Sequence, residues 1–187
     1  MTAAWVAPTE QRPQAAGTAS RNNENVMRGL KDKVVIVAGA APGNIGAAAA
    51  VRLTEEGARV VVADYNGGAA GAVAEGIRSH GGVASGQAFD ITEEQSFNDL
   101  INGTLSEYGR LDGLFTVAAD LSPHTFGSDT NVTDVALEVW QRTLQVSLTG
   151  YMYGIRHAMP IMIGQGGGSI VNTMSSSVWM GESNHVS

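Results

Sequence analysis

The residues with the clearest chemical meaning are Gly39, Gly43, Gly46 and Asp64. The glycines fall in the run Val34-Val35-Ile36-Val37-Ala38-Gly39-Ala40-Ala41-Pro42-Gly43-Asn44-Ile45-Gly46, where an apolar β-branched stretch meets a glycine-spaced turn and then an alanine-rich segment. Each glycine has a physical role in such a turn. Gly39 lets the chain leave a strand sharply, Gly43 removes the side chain where a pyrophosphate must approach backbone, and Gly46 lets a helix pack closely on a sheet. The start of that helix then presents unpaired N–H groups to the anion. Asp64 stands eighteen residues past Gly46, at the end of a second apolar run, Val60-Val61-Val62-Ala63. A carboxylate there can accept hydrogen bonds from both hydroxyls of an adenosine ribose. The combination is that of a mononucleotide-binding half-fold rather than an ordinary tight turn.

Positioning these residues requires an alternation of strands and helices, which implies a parallel sheet. The patterning predicts strands at Val34–Ala38, Arg59–Asp64, Ala84–Phe89, Gly113–Ala118 and Ser169–Asn172. Between them it predicts helices from about Asn44 to Gly57, Gly68 to His80, a third opening with a Thr92-Glu93-Glu94-Gln95 capping box, and a long helical region from about Val135 to Met162. Phe97, Leu100, Ile101, Leu105 and Tyr108 form an apolar stripe at helical spacing, as core residues do. Right-handed crossovers then give an α/β, doubly wound sheet of Rossmann type with strand order 3-2-1-4-5. Its carboxyl edge, where ligands bind in such sheets, carries Gly39, Asp64, Asp90, Ala118 and Ser175.

The bulk composition excludes several classes. The 187 residues suffice for one domain with a core, read as residues 30–187 after a flexible arm over 1–29. A net charge of −7 argues against nucleic acid or an anionic membrane surface as partner. The absence of cysteine removes disulfides and thiol chemistry and fits a cytoplasmic protein. No apolar run approaches the roughly 18 residues that a bilayer span requires. Asp120 and His124 are too few and too loosely placed to suggest a metal site, and none is expected.

The order of these motifs resembles the short-chain dehydrogenase/reductase family from about Leu30 onward. The family's Thr-Gly-x-x-x-Gly-x-Gly turn is met with Ala38 in place of threonine and with Asn44 as an extra residue before Ile45-Gly46. Asp90-Ile91 matches the family's acid after strand three, which faces adenine. Leu111-Asp112-Gly113-Leu114 matches the approach to strand four, whose Asn-Asn-Ala-Gly signature is degraded to Thr116-Val117-Ala118-Ala119. Trp140 and Val146-Ser147-Leu148-Thr149-Gly150 look like the helix segment Val-Asn-Leu-x-Gly, with Ser147 in place of the active-site asparagine. Gly168-Ser169-Ile170-Val171-Asn172 looks like strand five, and the catalytic serine aligns with Ser175, or alternatively with Ser176.

The resemblance implies a dinucleotide cofactor held by Gly39, Gly43, Asn44, Ile45, Gly46, Asp64, Tyr65, Asp90, Ile91, Val117, Ala118, Ala119 and Val146, with Ser175 and Ser147 in catalysis. It implies hydride exchange between nicotinamide and a small-molecule alcohol or ketone. Without the resemblance, Asp90 reads as a strand-end cap, the serines after strand five as loop residues, and Ser147 as a mid-helix hydroxyl bonded to backbone. Charge selects the cofactor: Asp64 would repel a 2′-phosphate and Tyr65-Asn66 offer no cation, so NAD is expected rather than NADP. The family's Tyr-x-x-x-Lys pair should follow the catalytic serine, but the sequence ends at Ser187 without it. Neither Tyr151 nor Tyr153 can replace the tyrosine, since both precede strand five. The expectation is of an incomplete chain, with its later strands missing, inactive alone and prone to associate, from a homo-oligomeric enzyme (dimer or tetramer). The alternatives are a non-catalytic dinucleotide-binding protein and an inactive fragment.

Overall fold

Every residue of β1 (Val34–Ala38) is buried, which is the signature of a strand covered on both faces. In the computed structural model, which describes residues 29–176 and Trp179, this strand is the centre of a parallel sheet. It pairs with β2 (Arg59–Asp64) on one side and β4 (Gly113–Thr116) on the other. Outside these lie β3 (Val83–Ala88) and β5 (Ser169–Asn172), and the sheet order is β3-β2-β1-β4-β5. The order expected from right-handed crossovers is therefore the one found.

Successive strand residues face opposite sides. Ile36, Val61 and Leu114 point to one core, which α3 (Glu94–Tyr108) and the helices from α4 (Leu137–Leu144) to α5 (Gly150–Gly164) complete with Phe97, Leu100, Val146 and Ala158. Val35, Val37, Val60 and Val62 point to the other, which α1 (Ile45–Glu55) and α2 (Gly67–Ser79) fill with Ala47, Ala50, Ala74 and Ile77. On the α1 side the covering is partial, and Val35, Leu53, Phe115 and Val171 line an open apolar groove of about 670 Å³.

Three sequence expectations need correction. The capping box at Thr92 does not form: α3 begins at Glu94, its cap residue Glu93 makes no side-chain cap bond, and Thr92 instead bonds to Asp90. Strand four ends at Thr116 rather than Ala118. Val117 N still donates to Ala38 O at 2.9 Å, but the next residue crosses so close over Gly39 that pairing cannot continue. Strand three also lies one residue earlier than expected. The long helical region is found as expected, running without a break through α4 and α5 with a π-helical turn, Gln145–Thr149, between them. The expected arm over 1–29 falls, but for Gly29, outside the described residues.

One ion-paired hub fastens the amino edge of the sheet. Asp112 accepts from Lys33 Nζ at 3.1 Å, from Val34 N at 3.0 Å and from Arg110 through two bonds of 2.6 Å. Partial burial alone would raise the carboxyl, but the bonds from Arg110, Val34 and Lys33 outweigh it and hold the group at about 2. A carboxyl depressed on folding contributes stability above its unfolded value near 3.8, and that contribution is lost as the pH falls towards about 2. Asp112→Asn should therefore cost about 1 kcal/mol at pH 6, allowing for solvent screening, and only a small part of that once the pH has fallen through about 2. Urea unfolding of both proteins across this range checks it, and a pH-independent difference would refute it.

Candidate nucleotide-binding site

The glycine turn shows why this edge of the sheet is concave. Gly39 has φ +100°, and its N–H donates to Ala63 O at 2.7 Å. Gly46 packs α1 against the turn so closely that a Cβ there would lie 2.2 Å from Gly39 O. Asn44, the extra residue of the turn, is the N-cap of α1: its Oδ1 accepts from Ala47 N at 2.9 Å, while its Nδ2 donates to Gly39 O at 3.1 Å. The cap takes the third N–H of the helix and leaves those of Ile45 and Gly46 outside the helical ladder. At Gly43, φ is +83° and a Cβ would meet no atom within 4 Å, so backbone here is open to a ligand.

The cleft in front of this turn has a volume of about 630 Å³. It brings together Gly39, Gly43, Asn44 and Ile45 after β1, Asp64 and Tyr65 after β2, Asp90 and Ile91 after β3, Val117, Ala118 and Ala119 after β4, and Val146 from the π-helical turn. Gly46 lies buried beneath it. Asp64 Oδ1 accepts from Asn66 N at 3.0 Å, and its second oxygen has no partner among the described residues. Asp90 Oδ1 accepts from Thr92 N at 2.9 Å and Thr92 Oγ1 at 2.7 Å, while Asp90 N donates to Ser96 Oγ at 3.0 Å. This is the strand-end turn that its residue type allowed.

The two predicted catalytic serines do not line this cleft. Ser147 is exposed within the π-helical turn, and Ser175 is exposed three residues beyond the end of β5. Tyr151 OH donates to Ala118 O at 3.0 Å, and burial raises its pKa. Sequence reading missed Asp120, Leu121, Ser122 and Arg142, which complete the cleft wall. The only local signal was the spacing of Arg142 and Val146, one helical turn apart. Among the described residues no group of three or more His, Asp or Glu side chains converges as metal ligands would, and no helix is long and apolar enough to cross a membrane.

The pattern of the short chain dehydrogenase family matches residues 33–186. The chain belongs to this family. Its members similar to it include a 7alpha-hydroxysteroid dehydrogenase of Bacteroides fragilis, 34% identical over 158 residues, covering 84% of this chain and 60% of the relative. A cyclohexanol dehydrogenase of an Acinetobacter species is 31% identical over 146 residues, covering 78% of this chain and 56% of the relative. The crystal structure of a short chain dehydrogenase from Mycobacterium smegmatis superposes with a TM-score of 0.77 at 34% identity, covering 83% of this chain and 63% of that one. The Rossmann fold is thus shared with other short-chain dehydrogenases. The chain spans about 60% of the length of such relatives.

Proposed function

We propose that this chain is the dinucleotide-binding part of an NAD-dependent oxidoreductase that acts on an alcohol or ketone. The observation carrying the proposal is the cleft itself, in which an open glycine backbone and a carboxylate with one oxygen unpartnered among the described residues face the same space. The Ile45 and Gly46 N–H groups and the positive end of α1 would receive the pyrophosphate. Asp64 would accept from the ribose hydroxyls, and Asp90 and Ile91 would meet the adenine. When bound, the nicotinamide supplies the hydride acceptor or donor. Ser175 would orient the substrate oxygen, and Ser147 would hold a water from the turn of the helix. The named relatives favour a secondary alcohol on a carbocycle as substrate. Association through the long helix is supported by Leu148, Met152, Met159 and Ile163, which stand exposed along it.

A second reading, a dinucleotide-binding protein without turnover, is favoured by the serine at position 147 and by the absence of both serines from the cleft lining. It shares the binding step. Calorimetric titration tests that step: NADH should bind at least about tenfold more tightly than NADPH. Asp64→Ala should narrow the gap by removing the repulsion of the 2′-phosphate. Equal affinities for the two nucleotides would refute the assignment, and hydride transfer by the NADH-binding protein separates the two readings.

A further inference from the structure

Asp120 and Arg142 line the cleft, yet neither belongs to the glycine turn nor to the acids after β2 and β3. Asp120 accepts from Ser122 N at 3.2 Å, from Thr125 Oγ1 at 3.1 Å and from Arg142 Nε at 2.9 Å. Thr125 is itself buried. One carboxylate therefore gathers the loop after β4 and fixes a guanidinium carried by α4. Because Arg142 donates through Nε, its two terminal nitrogens have no partner among the described residues. A planar cation held by its inner nitrogen at a cleft wall is suited to lie flat on an aromatic ring.

The surrounding contacts say which end of the cleft this is. Gln145 Nε2 donates to Thr92 O at 3.0 Å. The helix also packs so tightly on the loop after β3 that a Cβ at Gly150 would come within 2.5 Å of the Ile91 side chain. Arg142 and Val146, one turn apart, thus line the same cleft as Asp90 and Ile91, on a helix that packs against the loop after β3. We infer that Arg142 stacks its guanidinium on the adenine ring of the bound dinucleotide, and that Asp120 is the positioning residue that holds it there. The inference rests on the dinucleotide reading above. Burial would raise the Asp120 carboxyl, but the bonds from Arg142, Ser122 and Thr125 hold it at about 2, so the tether stays charged at any ordinary pH.

Adenosine diphosphate ribose, titrated calorimetrically into the full chain, is the probe, since it carries the adenine and needs no turnover. Arg142→Ala should weaken binding about tenfold, and Arg142→Lys nearly as much, because an ammonium keeps the charge but not the plane. Asp120→Asn should fall between wild type and Arg142→Ala. The double variant Asp120→Asn/Arg142→Ala should be no weaker than Arg142→Ala alone, because Asp120 acts through the arginine. Arg142 is a half-exposed side chain, so neither substitution at it should unfold the protein. If the wild-type chain does not bind the probe, the dinucleotide reading falls and this inference with it. If wild type binds and Arg142→Ala binds equally well, only the arginine's role is overturned. Wild-type affinity in Arg142→Lys would overturn stacking in favour of charge, and additive losses in the double variant would overturn the positioning role of Asp120.

Discussion

Gly39→Ala should abolish dinucleotide binding, with a loss of more than about a hundredfold in affinity, or roughly 3 kcal/mol. Two effects act at once. The residue sits at φ +100°, where a side chain is strained, and its Cβ would lie 2.5 Å from Ala118 N and 2.6 Å from Ala118 Cα. Both of these are backbone atoms of the opposite cleft wall, so no side chain can turn aside to make room. The wall must move, and with it the Val117–Ala119 segment that the nucleotide would touch. Strain and overlap together should cost about 2–4 kcal/mol of stability. Gly43→Ala is the informative contrast. Its φ of +83° is also unfavourable, but a Cβ there meets nothing, so stability should fall by only about 1–2 kcal/mol. Urea unfolding with a nucleotide titration distinguishes the two. An unfolding midpoint for Gly39→Ala no lower than that of Gly43→Ala would contradict the close approach of the strands' carboxyl ends.

Phe97→Ala should be the most destabilising single truncation, at about 3–5 kcal/mol. Phe97 is fully buried and lies edge-on to Phe89, with ring centroids 4.5 Å apart. Its ring also meets α5 at Gly154, where a Cβ would come within 3.0 Å of it. The side chain therefore joins α3, the end of β3 and α5, and no single element can relax to fill the space it leaves. For a domain whose whole stability is about 5–15 kcal/mol, this is a large fraction. The loss should reach the site as well, because Phe89 and the neighbouring Asp90-Ile91 lose their support. Chemical denaturation of Phe97→Ala beside Phe97→Leu checks this, with leucine expected to recover about half of the loss. A shift below 1 kcal/mol for the alanine would mean that the core has repacked.

These expectations draw on two kinds of information. The apolar runs at Val34–Ala38 and Arg59–Asp64 were readable as strands because a short continuous apolar run and β-branching are local signals that act over a few residues. The handedness of the crossovers turned their succession into a sheet order. The glycine turn was equally plain, because Gly39 and Gly43 answer a backbone requirement that no other residue meets well. Where the sequence misled, a local preference had more than one possible partner. Thr92 had the spacing of a capping box, but the Asp90 carboxylate, brought against it at the end of β3, took its hydroxyl instead. Asp120 and Arg142 are twenty-two residues apart with nothing in either neighbourhood to join them. Their pairing exists because the loop after β4 and the helix that follows return to the same edge of the sheet. The sequence by itself determined the strands, their order and the turn, since these follow from short-range sterics and periodicity. Tertiary packing alone decided which hydrogen-bond partner each polar group took, since that depends on groups that only the completed fold brings within reach.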